Sequence, residues 1–101
     1  MNKMRRKDLT GIIKELRTYH DNDDIYAVIN NLENIRDDEE SYYDNIPENL
    51  QSSQRAYDSE NAIDNMNDAL DFLNDAYESD DENKTKELVI KAIDKINEAR
   101  S

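Results

Sequence analysis

The stretch Leu16-Arg17-Thr18-Tyr19-His20-Asp21-Asn22-Asp23-Asp24-Ile25 decides the fold, because two aliphatic stripes meet across it out of phase. Upstream, Leu9, Ile12, Ile13, Leu16 and Tyr19 fall within one arc of about 120° on a helix. Downstream, Ile25, Val28, Ile29, Leu32, Ile35 and Tyr43 form a second stripe that a continuous helix would rotate about 160° away from the first. Between them, Asp and Asn side chains compete for backbone hydrogen bonds and suit helix caps. The break predicts two helices, over residues 3–19 and 23–44, rather than one helix showing opposite faces to different partners.

Outward from this break the same test finds two more helices. Pro47 restricts Ile46 and cannot donate a backbone hydrogen bond, so the second helix should end near Asp44. Asn45 to Gln54 reads as a loop with one turn begun at Pro47. Ala62, Ile63, Met66, Ala69, Leu70, Leu73, Ala76 and Tyr77 then share an arc, giving a helix over residues 58–78. Ser79-Asp80-Asp81-Glu82 has the spacing of a capping box, with Ser79 as the cap. Beyond it, the stripe Leu88, Val89, Ala92, Ile93, Ile96 and Ala99 is displaced by about 110°, so a fourth helix spans residues 80–100. Short connections between four such helices predict an all-α fold in one domain, residues 1–101: a four-helix antiparallel bundle or a pair of helical hairpins.

Composition sets the limits on function. Leu, Ile, Val and Phe together make 20 of 101 residues, which sits at the composition border of disorder and admits a chain that folds only on a partner. One glycine, one proline and the regular stripes argue for a fold of its own. There is no cysteine and only one histidine, so disulfide, thiolate and zinc-finger chemistry have no residues to use. The basic start, Lys3 to Lys7, lacks a following apolar segment because Lys14, Glu15 and Arg17 interrupt it. No apolar run approaches the roughly 20 residues that a membrane span needs. The expectation is a soluble cytoplasmic protein without membrane contact.

Charge is segregated along the chain. Residues 1–20 carry net +4, residues 21–82 carry two basic and twenty acidic groups, and residues 83–101 carry net +2, for −12 in all. Either the ends neutralise the middle within one fold, or the acidic surplus stays outside as a recognition face.

The acidic clusters do not make metal sites by pattern. Asp21-Asn22-Asp23-Asp24-Ile25-Tyr26 begins like a calcium loop but has Tyr26 where the turn glycine belongs. The run from Asp81 to Lys86 fails at the same glycine. No Glu-x-x-His pair exists for a di-iron bundle, and His20 has no second histidine. Asp37-Asp38-Glu39-Glu40 reads as a solvated helix surface rather than a cation site. Nucleophile, base and oxyanion donors cannot be assembled, so the expectation is no enzyme, no catalytic residues, no cofactor and no metal. Glu39 alone breaks the pattern, since it falls inside the apolar arc of the second helix. The preferred reading has that helix end projecting beyond the core with Glu39 wet; otherwise Glu39 pairs with Arg36 or meets a second chain.

What remains is an acidic surface. Asp64, Asp68, Asp71, Asp75 and Glu78 share an arc of about 80° opposite the apolar stripe of the third helix. Five carboxylates over about 21 Å give one charge per roughly 5 Å, sparser than the one per about 3.4 Å of a DNA strand. A second row from Asp37, Asp38, Glu40 and Asp44 raises that density if the second and third helices lie side by side. Phe72 stands about 120° from the centre of its apolar arc, among Asp68, Asp71 and Asp75. It is either a satellite core contact or an anchor for a partner. Lys3, Lys7, Lys14 and Arg17 share one side of the first helix, but the acidic remainder would repel nucleic acid, so direct binding to it is not expected.

Arg36-Asp37-Asp38-Glu39-Glu40 followed by Tyr43-Asp44-Asn45-Ile46-Pro47-Glu48-Asn49-Leu50-Gln51-Ser52 resembles a junction in short acidic helical proteins of phages and integrated mobile elements. Residues 3–78 share that group's organisation, while the break at 20–24 departs from its single long first helix and residues 79–101 extend beyond it. The resemblance implies a mobile-element origin and carries over no functional residue. The leading expectation is a non-enzymatic acidic protein that occupies the basic groove of a host nucleic-acid-handling enzyme, a defence nuclease or CRISPR effector. On that reading Asp64, Asp68, Asp71, Asp75 and Glu78 act as phosphate surrogates, with Phe72 as anchor. The alternative is a helical oligomerisation or assembly module that joins copies of itself, as a homodimer or larger species, or joins a virion component.

Overall fold

In the computed structural model, which describes residues 1–101, four α-helices follow the aliphatic stripes: α1 (Lys3–Arg17), α2 (Asn22–Asp44), α3 (Gln54–Glu78) and α4 (Glu82–Arg100). A single 3₁₀ turn, Glu48–Leu50, follows Pro47. No helix is long and apolar enough to cross a membrane.

The chain breaks where the stripes change phase. Asp21 caps α2 by accepting from the Asp24 backbone N–H at 3.0 Å, while the Asp24 carboxylate accepts from the His20 N–H at 2.8 Å. Two carboxylates thus satisfy backbone donors that a continuous helix would have paired internally. α1 stops at Arg17, two residues short of the sequence expectation, with Thr18 as its C-cap and the Thr18 hydroxyl donating to the carbonyl of Lys14 at 3.1 Å.

Two boundaries need correction. α3 starts at Gln54 rather than near residue 58, capped by Ser53, whose hydroxyl accepts from the Ala56 N–H at 3.3 Å. The expected Ser79–Glu82 capping box does not form. Asp81 is the cap, its carboxylate accepting from Asn83 at 2.9 Å and Lys84 at 3.4 Å. Ser79 instead closes a tight turn, accepting from the Asp81 N–H at 3.2 Å. A charged carboxylate makes the stronger hydrogen bonds at a helix N-terminus, so it takes the role from the hydroxyl.

Cross-helix pairs fix an up-down-up-down bundle. Arg5 meets Glu39 between α1 and α2, Arg36 meets Asn67 between α2 and α3, Lys95 meets Asp68 between α3 and α4, and Arg100 meets Thr10 between α4 and α1. The molecule measures 48 × 20 × 19 Å. Its core is one cluster of 19 buried side chains, among them Leu9, Leu16, Ile25, Leu32, Met66, Leu73, Leu88 and Ile96.

α4 ends opposite Thr10, so the start of α1, the end of α2 and the start of α3 continue as three helices. Here the interior changes character, and Glu39 is fully buried rather than wet. Its Oε1 accepts from Arg5 Nε at 2.7 Å, its Oε2 accepts from the Ser59 hydroxyl at 2.6 Å, and the Met1 amino group lies 3.9 Å away. Arg36, the partner suggested by spacing, turns outward to Asp37 at 3.1 Å and Glu40 at 3.7 Å. α1 supplies the charge because its basic first turns pack across the end of α2. A buried carboxylate needs such a cation and further donors.

Candidate protein-interaction face

The bundle places α2 and α3 side by side and α1 beside α4, which converts segregation along the chain into two sides of a molecule. The α2–α3 side holds the acidic middle, residues 21–82, with Arg36 and Arg55 as its only basic residues.

Asp64, Asp68, Asp71, Asp75 and Glu78 are all exposed along the outer surface of α3. Their hydrophobic counterparts Met66, Ala69, Leu73 and Ala76 hold the opposite surface in the core. Of the five, only Asp68 meets a cation, Lys95 of α4 at 3.8 Å, and Lys95 also reaches Glu98 at 3.6 Å. Asp64, Asp71, Asp75 and Glu78 form no ion pair within the molecule.

The α2 row is only partly assembled. Asp37 and Glu40 lie toward α3 and share Arg36, which also donates to Asn67 Oδ1 at 3.1 Å. Asp44 is exposed at the end of the helix. Asp38 does not join them. It is also exposed, but it follows Asn31 and Asn34 by seven and four residues and shares their side of α2, which faces α1 in a shallow groove with Lys7, Asp8 and Glu15. Two further carboxylates belong to the face instead. Glu33 and Asp71 flank a groove of about 220 Å³ between α2 and α3, together with Arg36, Asn67 and Asn74. Glu60, exposed one turn before Asp64, continues the α3 row.

Phe72 lies at the edge of the core, half-buried against it, with the Lys91 ammonium 5.9 Å from its ring centroid. The satellite-contact geometry is therefore present, and α4 shields one side of the ring. The aromatic surface of this side lies elsewhere. Tyr26 of α2 and Tyr77 of α3 stack at 5.5 Å with their planes tilted by 41°, and they are 51% and 38% exposed. Asn22 donates to the Tyr77 carbonyl at 3.1 Å and ties the two helices together at this point. The pair is flanked in sequence by Asp23, Asp75 and Glu78 and stands at the end of the acidic face where α3 gives way to α4. Sequence reasoning placed Tyr77 in the core stripe and passed over Tyr26. The two meet across 51 positions of chain, and only the α2–α3 register reveals the contact.

No three His, Asp or Glu side chains gather as a metal-holding cluster. The chemistry this surface offers is long-range attraction for a cationic surface, with aromatic area at one end for short-range packing. No family model matches the chain, and neither a curated protein nor a solved structure is significantly similar to it.

Proposed function

We propose that this chain is a non-catalytic, cytoplasmic binding protein whose α2–α3 side occupies the basic nucleic-acid groove of a host enzyme, a defence nuclease or CRISPR effector. The observation that carries the reading is that the carboxylates of Asp64, Asp71, Asp75 and Glu78 stay exposed and unpaired, with eleven of the thirteen Lys and Arg residues placed on α1 and α4 instead. Lys86 and Lys91 pair within α4, Arg5 goes into the interior, and Arg36 serves the inner edge of the face. The surplus therefore projects to solvent, where it steers association with a cationic groove and loses that power as salt rises. Resemblance of the Arg36–Ser52 junction to mobile-element proteins supports the choice of a host defence enzyme as target. Tyr26 and Tyr77 add, at one end of the face, an aromatic contact that charge attraction alone lacks.

The test is direct. Immobilised protein should retain a nucleic-acid enzyme from bacterial host lysate at low salt and release it at high salt. The purified enzyme should then lose DNA binding in proportion to added protein. Reversing Asp64, Asp71 and Asp75 to Lys should abolish both effects while the helical circular dichroism signal persists. Retention that survives the reversal, or retained proteins without a nucleic-acid site, would remove the reading.

A further inference from the structure

The outer surface of α4 differs from the rest of the molecule. Asn83, Lys86, Ile90 and Asp94 recur every three or four residues and form one stripe facing away from the core, which Asn97 continues half-buried, its Oδ1 accepting from Arg100 at 2.7 Å. Ile90 is 59% exposed at the centre of this stripe, in a helix interior rather than at an end or in a turn. Beside it, the half-buried Ile93 borders an open groove of about 790 Å³ between the end of α1 and α4, lined mostly by polar residues, Asp21, Asp80 and Glu82 among them.

The stripe is self-complementary. When two copies of α4 cross antiparallel about a two-fold axis at Ile90, residues equally far from Ile90 on its two sides face each other. Lys86 and Asp94 lie four residues before and after it, so each Lys86 meets the Asp94 of the other copy. Ile90 meets Ile90. Asp94 is exposed and has no ion pair in the molecule, while Lys86 has only the exposed Glu82 of its own helix at 3.7 Å. Both charges are available to a second chain, since an exposed pair within a helix holds its members weakly.

Electrostatics restrict where a chain of net −12 can meet its copy. Apposing two α2–α3 sides would bring carboxylate rows together at a cost from like charges, whereas the α4 stripe carries one Lys and one Asp and is neutral. An isologous contact here also closes at two copies.

We propose that the α4 stripe centred on Ile90 is a homodimer interface, in which two copies pair antiparallel through Ile90 with Lys86 bonded to Asp94 of the other copy. Both α2–α3 sides then point outward, so the dimer presents two acidic faces. The proposal does not require those faces to have a partner, and each can fail without the other.

Sedimentation of the full chain over a range of concentrations tests it. The mass should rise with concentration to twice the 11.9 kDa of one chain and no further. Ile90→Glu should weaken dimerisation by about tenfold or more, as expected for the central buried side chain of a small interface. Lys86→Asp alone should weaken it severalfold, and adding Asp94→Lys should restore it, because the swapped charges again face each other. All three positions are on the surface, and circular dichroism verifies that each variant is folded. A monomer at every concentration overturns the proposal. So does growth beyond two copies, a dimer indifferent to Ile90→Glu, a double swap that fails to restore pairing, or a dimer lost instead on Asp71→Lys.

Discussion

At the end of the bundle where α3 turns into α4, four helices enclose Ile25, Leu73, Leu88 and Val89; at the other end α4 has stopped, and three helices enclose Glu39, Ser59 and the arm of Arg5. The two ends solve one problem with different chemistry. Four helices leave a channel that aliphatic side chains fill, and burial there stabilises at roughly 25 cal/mol per Å² of apolar surface. Three helices leave a narrower one. Small residues on α3, namely Ala56, Ser59 and Ala62, let the neighbours close in. The remaining space goes to a charge whose oxygens accept from both Arg5 and Ser59. No buried side-chain polar atom in the molecule is left without a partner. Such a satisfied ionic centre fixes the geometry of three helices, but desolvation offsets much of its attraction. Cooperative stability should therefore reside at the aliphatic end.

The largest effect should come from that end. Leu73 is fully buried in the aliphatic cluster, and Leu73→Ala should cost about 4 kcal/mol in urea or thermal unfolding, the sum of lost transfer energy and a cavity that rigid neighbours cannot close. At the polar end, Arg5→Met should cost about 3 kcal/mol, because it strands a buried carboxylate without its main cation. Ser59→Ala removes one charge-assisted hydrogen bond and should cost about 2 kcal/mol. Hydrogen exchange sharpens the comparison. Amides of α2 and α3 around Glu39 and Ser59 should exchange through local opening well below the global unfolding energy, and those around Leu32 and Leu73 only through global unfolding. Equal protection at both ends would erase the distinction.

The two ends were unequally legible in the sequence. Ile25, Val28, Ile29 and Leu32 declare the aliphatic end because their spacing has only one helical explanation, and the phase change at His20–Asp24 is visible without any partner. The three-helix end hides its logic in long-range pairs. Glu39 stands out as a carboxylate in an apolar stripe, but Arg5 is 34 positions away, and helical spacing points instead to Arg36. α3 begins four residues earlier than its aliphatics suggest, since Ala56 is small and Tyr57 points outward. Ser53 was the available signal, a capping residue three positions before Ala56. The acidic row on α3 was readable because it lies within one helix. Its neighbours were not, since the register of α2 against α3 turns Asp38 away and brings Glu33 to Asp71 and Tyr26 to Tyr77.

Gly11 lies between the two ends and gives the smallest effect, of opposite sign. It occupies the interior of α1 beside Thr10, the position that receives Arg100 where α4 ends. Nothing lies within 4 Å of where its Cβ would be, and its backbone is ordinary helix without a positive φ. Packing and backbone geometry therefore give no reason for a glycine there. A glycine inside a helix costs roughly 0.5–1 kcal/mol relative to alanine through the freedom it regains on unfolding. Gly11→Ala should accordingly raise stability by that amount, a midpoint increase of several degrees for a chain of this size. The gain should extend to the amides of α1 on both sides, since one continuous helix connects the aliphatic end to Arg5. If Gly11→Ala instead leaves the midpoint unchanged while slowing exchange only on the Leu16 side, α1 is not transmitting order across residue 11, and the two ends unfold as separate units.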